Sequence, residues 1–173
     1  VILSGEGTRC DKREEKSLIK INDKYMCEYI IDTLSSNKQI DTITLVVRRA
    51  NVKEFGRIVS QIDSDKPINV IVGDEQYRQI SLANGFDSLI AKPTDIVITL
   101  DGDRPFVTNE LIDKSIEVAS KQGFSTASLE VYDSVVNFTT YEDRKNLSLI
   151  QTPQSFIAKH FNKDFDKTKS DLI

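Results

Sequence analysis

An alternation of two patterns constrains this chain most. Apolar, β-branched runs at residues 1–3, 43–47, 70–72 and 96–100, with a half-buried run at 127–131, alternate with stretches whose apolar residues recur at helical spacing. Those stretches lie around 25–34, 52–62, 80–90 and 111–119. A strand without a polar alternate face must be covered on both sides, and an intervening helix brings the next strand back parallel to the first. The pattern therefore predicts a mostly parallel sheet between helical layers. In the last helical stretch, Leu111, Ile112, Ser115, Ile116 and Ala119 fall on one side; Thr108 or Asn109 can cap its start and Gly123 can close its end.

The fold class that follows is α/β, a Rossmann-like three-layer sandwich. After Val131 the periodicity degrades into a polar stretch over 137–146, which predicts a small projecting β-arm. The 173 residues suit one domain, and 39% hydrophobic content suffices for its core. A net charge of −4 excludes a broad nucleic-acid surface, which needs clustered excess Lys and Arg, so any phosphate site must be local. No apolar run approaches the roughly 20 residues that cross a bilayer, and no signal peptide precedes the first run; a cytoplasmic protein without a membrane partner is expected. Cys10 and Cys27 form no Cys-x-x-Cys and have only His160 as an imidazole partner, so reduced, structural thiols are expected. Val1 has no initiator Met before it, and the end at Asp171-Leu172-Ile173 is abrupt, so truncation at both termini is expected.

In open α/β sheets the ligand lies beyond the carboxyl ends of the strands. Three segments occupy that position: 5–9, 73–81 and 101–104. The first, Gly5-Glu6-Gly7-Thr8-Arg9 with Lys16 beyond it, has the makings of a phosphate cradle, since glycine lets backbone N–H groups approach an anion and the two cations neutralise it. It is neither a P-loop, which needs Gly-Lys-Ser/Thr, nor a dinucleotide fingerprint, whose third glycine is replaced by Cys10. The last segment, Asp101-Gly102-Asp103-Arg104-Pro105-Phe106, sets a carboxylate at a strand end, a natural Mg²⁺ ligand beside a triphosphate; taken alone it also reads as an Asp-Gly turn.

Four blocks resemble the cytidylyltransferases of sugar-alcohol phosphates, the methylerythritol-phosphate and ribitol-phosphate enzymes. They are the Gly5–Arg9 loop with Lys16, Arg78-Gln79-Ile80-Ser81-Leu82-Ala83-Asn84-Gly85, the Asp101–Phe106 segment, and Gln151-Thr152-Pro153-Gln154-Ser155-Phe156. The resemblance implies a single nucleotidyltransferase domain over 1–173 that moves CMP from CTP to a polyol phosphate and releases pyrophosphate. It assigns Arg9 and Lys16 to catalysis, and Leu3, Ser4, Gly5, Gly7, Gly73, Asp74 and Ser81 to the nucleotide. Arg104, Ser134 and Arg144 go to the acceptor, and Asp101 to Mg²⁺ as cofactor. It also implies a homodimer that exchanges an arm over 132–150, so that Ser134 and Arg144 serve the partner's site.

Segments 94–97 and 104–108 lean narrowly toward ribitol 5-phosphate over 2-C-methyl-D-erythritol 4-phosphate. The chain departs from the family pattern at Glu15, where Pro is common before the loop lysine, at Leu100, where a histidine is usual, and at Asp103, where a small residue is usual. Two rival readings remain open at this stage. One is a glycosyltransferase using Asp101-Gly102-Asp103 as its metal motif; the other is a non-catalytic CTP-binding relative.

Overall fold

The computed structural model describes residues 1–5 and 16–161. Ten strands and four α-helices follow in order: β1 (Ile2–Leu3), β2 (Lys20–Ile21), β3 (Lys24–Tyr25), α1 (Met26–Ser36), β4 (Ile43–Val47), α2 (Val52–Val59), β5 (Ile68–Val72), α3 (Arg78–Ser88), β6 (Ile96–Thr99), α4 (Asn109–Gln122), β7 (Phe124–Glu130), β8 (Val135–Asn137), β9 (Thr140–Glu142) and β10 (Ser148–Ile157).

Two three-stranded sheets, β5–β4–β1 and β6–β10–β7, meet along one seam. β4 pairs parallel to both β1 and β5, with Ile2 opposite Val46 and Val47 opposite Val72. At the seam the Ile2 N–H donates to the Leu100 carbonyl at 2.8 Å and the Gly102 N–H to the Ile2 carbonyl at 2.9 Å, placing Asp101 parallel to Ile2. β10 runs antiparallel to β6 and β7 alike, the exception in an otherwise parallel sheet. Sequence periodicity misses β10 as a strand because its burial runs against polarity: the apolar Leu149 and Ile150 are exposed, while the polar Thr152, Gln154 and Ser155 are buried. Its inner half carries Pro153, whose missing N–H falls where the pairing with β7 shifts register between Ile150 and Gln154.

β4 is buried along its whole length, and its two faces meet different helices. Ile43, Leu45 and Val47 join Cys27, Ile30, Ile31 and Leu34 of α1, Phe55 and Ile58 of α2 and Ile112 of α4 in the main core, with Leu3 and Leu100 at the strand ends. The other face receives α3: a Cβ built on Gly85 would stand 3.0 Å from Val46 Cγ2, so the missing side chain is what lets helix and strand approach. Cys27 is buried in the main core.

The local signals explain the helix ends. Thr108 caps α4, its hydroxyl accepting from the Leu111 N–H at 3.3 Å, and Gly123 closes it at φ +93°, a left-handed conformation glycine adopts without strain. Ile112, Ser115 and Ala119 are buried as the spacing requires. Leu111 is not; it is 41% exposed, because it stands one residue ahead of the Ile112 stripe. Asn22 and Asp23, both with positive φ, make the two-residue turn between β2 and β3, a hairpin too short for periodicity to reveal.

β8 and β9 form the projecting hairpin. Val136, Phe138 and Tyr141 on it, and Leu129, Tyr132 and Leu149 at its base, are all more than half exposed. Among the described residues no helix is long and apolar enough to cross a membrane.

Candidate active site

The order β5–β4–β1–β6 reverses direction between β1 and β6: from β1 the chain goes on to β4 on one side, and from β5 it crosses to β6 on the other. A crevice opens beyond the carboxyl ends of strands at such a switch point. Leu3, Ser4 and Gly5 leave β1 there, Gly73 and Asp74 leave β5 beside it, and Asp101 follows β6.

Ser81, in the first turn of α3, ties the first two groups together. Its hydroxyl is fully buried, lies 2.6 Å from Ser4 Oγ, accepts from the Asp74 N–H at 2.9 Å and donates to the Asp74 carbonyl at 2.9 Å. With its proton given to that carbonyl, the Ser4 hydroxyl must be the donor of the Ser–Ser bond. Gly73 is required here, since a Cβ would lie 2.7 Å from both Ser81 Oγ and Val46 Cγ1 and 2.9 Å from Ser4 Cβ. Asp74 turns its own carboxylate onto the N–H groups of Gln76 (2.9 Å) and Tyr77 (2.6 Å), rigidifying the turn into α3.

Asp101 is held by three residues, two of them on other elements. Its N–H donates to Thr152 Oγ1 of β10 at 3.2 Å, its Oδ1 accepts from Arg78 Nη2 of α3 at 2.9 Å, and its Oδ2 accepts from Arg104 Nε at 3.3 Å. Arg104 also donates to Gln151 Oε1 of β10. Lys16, opening a short 3₁₀ turn over Lys16–Leu18, stands 3.6 Å from Asp103 Oδ2. Gly102 keeps β1 against this segment; a Cβ would fall 1.8 Å from Leu3 Cδ2.

The structure thus brings Leu3, Ser4, Gly5, Gly73, Asp74 and Ser81 to one side of the crevice and Asp101, Arg104 and Lys16 to the other. Arg9 and Gly7 lie outside the described residues. Among the described residues Ser134 and Arg144 make no recognised contact with the crevice residues: both are exposed at the base of the hairpin, where Arg144 donates to the Tyr132 carbonyl. Four residues to which sequence reading gave no role stand in the site: Arg78, Gly102, Gln151 and Thr152. Arg78, Gln151 and Thr152 open recognised blocks, but only the fold turns them toward Asp101.

Chemically, the crevice offers backbone and hydroxyl groups at the glycine turns, then a carboxylate surrounded by cations. Among the described residues no cluster of three or more His, Cys, Asp or Glu could cage a metal. One carboxylate at a strand end, with Asp103 two residues on, fits Mg²⁺ nonetheless, since that ion commonly takes one or two carboxylates and completes its shell with phosphate and water. A separate cavity of about 690 Å³ lies beside α3, lined by Leu82, Phe86, Leu89 and Phe161. Among the described residues its charged lining side chains are Asp41 and Asp95, which repel a triphosphate.

Comparison with known proteins bears on the family and the fold. The family model described as IspD, 2-C-methyl-D-erythritol 4-phosphate cytidylyltransferase, matches residues 1–172. The chain is 30% identical over 165 residues to the protein of that name from Clostridium tetani, covering 92% of this chain and 66% of the relative. It is 30% identical over 163 residues to the one from Clostridium acetobutylicum, covering 90% and 70%. The 4-diphosphocytidyl-2C-methyl-D-erythritol synthase structure from Anaerococcus prevotii superposes with a TM-score of 0.76 at 27% identity, covering 91% of this chain and 69% of that one. The bifunctional IspDF of Campylobacter jejuni shares the fold, with a TM-score of 0.82 at 23% identity over 98% of this chain and 43% of that one. The chain thus spans just under two thirds of the length of the Clostridium tetani relative.

Proposed function

The chain belongs to the IspD family of 2-C-methyl-D-erythritol 4-phosphate cytidylyltransferases, and from that premise we propose that it transfers CMP from CTP to a polyol phosphate and releases pyrophosphate. The observation that supports this most directly is the meeting, at one switch point, of the Ser4–Gly73–Ser81 cradle with Asp101 and its neighbouring cations. The acceptor we propose is 2-C-methyl-D-erythritol 4-phosphate, the substrate in the names of the relatives. The lean toward ribitol 5-phosphate drawn from segments 94–97 and 104–108 finds no support among them.

In this reading the nucleoside lies over the turn held by Ser81, with its phosphates running toward β6. The acceptor is a phosphate monoester, already ionised at neutral pH, so its oxygen attacks the α-phosphorus of CTP without a strong general base. The bond from the α-phosphorus to the bridging oxygen breaks as the new one forms, and pyrophosphate leaves with that electron pair. Positioning and charge stabilisation carry such a reaction. In this reading the Lys16 ammonium, released from Asp103, meets charge developing on the triphosphate, and the family pattern assigns Arg9 the same task. Arg104, held beside Asp101 by Gln151, orients the acceptor phosphate. Asp101 would hold Mg²⁺, which when bound aligns the phosphates and neutralises their charge.

The hairpin completes the reading as a dimerisation arm. An exposed apolar stripe on a two-stranded hairpin is unstable in isolation and reads as an interface. A second copy receiving it brings Ser134 and Arg144 to the partner's acceptor subsite. The experiment is incubation with CTP, Mg²⁺ and 2-C-methyl-D-erythritol 4-phosphate. Pyrophosphate forming in step with a CDP-linked polyol is expected, whereas binding of CTP with no turnover would favour a non-catalytic relative.

A further inference from the structure

We propose that Arg78 is a positioning residue for the divalent-cation site: it fixes the Asp101 carboxylate in the orientation that receives the metal, without itself touching the nucleotide. The inference rests on the reading of Asp101 as metal ligand given above.

Arg78 is the first residue of α3, three positions before Ser81 on the same helix face. One helix start therefore holds both halves of the site, Ser81 securing the turn after β5 and Arg78 securing the carboxylate after β6. The Arg78–Asp101 ion pair is 2.9 Å long between side chains 22% and 26% exposed, more sheltered than the Arg104–Asp101 pair, whose arginine is 40% exposed at 3.3 Å. The sheltered contact is therefore the fixed one, and Arg104 is freer to turn toward a phosphate.

The geometry at Arg78 is unlike that of an arginine placed for stability. A guanidinium and a carboxylate prefer two parallel bonds, yet Asp101 offers Arg78 one oxygen and gives the other to Arg104. Arg78 Nη1 is buried and has no hydrogen-bond partner among the described residues. An unmet buried donor is costly, and one retained beside a functional carboxylate calls for a functional explanation. Nη2 carries the contact with Asp101, so what Arg78 delivers is the direction of that carboxylate. Partners that orient a metal's ligands in this way commonly change metal affinity or activity by about 10–100-fold when removed.

The test measures Mn²⁺ binding in the presence of CTP by electron paramagnetic resonance, for the wild type, Arg78→Gln, Arg78→Lys and Asp101→Asn. CTP affinity without divalent ion and the melting temperature are measured alongside. Arg78→Gln should weaken Mn²⁺ binding about 10–100-fold while divalent-free CTP affinity and melting temperature stay near wild type. Arg78→Lys, which keeps the charge but loses the planar fork, should move in the same direction by less. The inference is overturned if Mn²⁺ binding is unchanged in Arg78→Gln, if divalent-free CTP affinity falls by the same factor, or if both variants lose Mn²⁺ only in step with their melting temperatures. Undiminished Mn²⁺ binding by Asp101→Asn would overturn the metal reading as well. Loss in Asp101→Asn alone would overturn only the role given to Arg78.

Discussion

Ser4 Oγ and Ser81 Oγ stand 2.6 Å apart in a fully buried contact that joins the end of the first strand to the first turn of the third helix. Among the described residues nothing else in the crevice links segments so distant in sequence through so short a bond. Ser81→Ala strands the Ser4 hydroxyl and the Asp74 N–H together. The variant should lose about 1–3 kcal/mol of stability in urea unfolding, the cost of leaving buried polar groups unmet, and its KM for CTP should rise more than its kcat falls.

Gly73→Ala is expected to damage the same cradle by volume alone. The added methyl would meet Ser81 Oγ and Val46 Cγ1 at 2.7 Å, in surroundings with little room to yield. Overpacking of this kind typically costs about 1–3 kcal/mol. Gly56→Ala is the control, since its Cβ points into open space on helix α2, where alanine is favoured by roughly 0.5–1 kcal/mol. Thermal melts of the two variants should therefore shift in opposite directions.

Lys16→Ala separates catalysis from stability. Among the described residues Lys16 makes one ion pair, a partly exposed contact with Asp103 at 3.6 Å, a kind worth about 0–1 kcal/mol. A cation facing transition-state charge is worth about 3–4 kcal/mol of barrier. Turnover should fall by about 10²–10³-fold with the unfolding midpoint nearly unchanged; near-normal pyrophosphate release would remove Lys16 from the mechanism.

The arm predicts a link between assembly and activity. Phe138 at 99% exposure and Tyr141 at 81% lie on the hairpin, so Phe138→Asp with Tyr141→Asp should convert a dimer into a monomer by light scattering. If Ser134 and Arg144 act across the interface, the monomer's KM for the acceptor should rise while its affinity for CTP is kept. A wild-type protein that is already monomeric would contradict the arm's assignment.

Much of this was legible in the residues, for reasons particular to each. Strand β4 declares itself because burial on both faces demands an unbroken apolar run, and α4 because its stripe is bracketed by Thr108 and Gly123. Strand β10 was hidden: its apolar Leu149 and Ile150 are exposed and its polar Thr152, Gln154 and Ser155 buried, Pro153 argues locally against a strand, and its partners lie at Thr99 and Thr126, far off in sequence. Asp101 was visible as a strand-end carboxylate. The hold of Arg78 and Thr152 on it was not, because both contacts are made by topology, across separations of 23 and 51 residues. Leu111 shows the opposite failure, an apolar residue assigned to the buried stripe that packing leaves in solvent.

The central claim is most directly tested by the initial rate of pyrophosphate release from CTP and Mg²⁺ with 2-C-methyl-D-erythritol 4-phosphate, with ribitol 5-phosphate, and with no acceptor. We predict rapid release with the first, with a CDP-linked product of matching amount, and little with the other two. Faster release with ribitol 5-phosphate would contradict the acceptor assignment, and no acceptor-dependent release with either would contradict cytidylyl transfer itself.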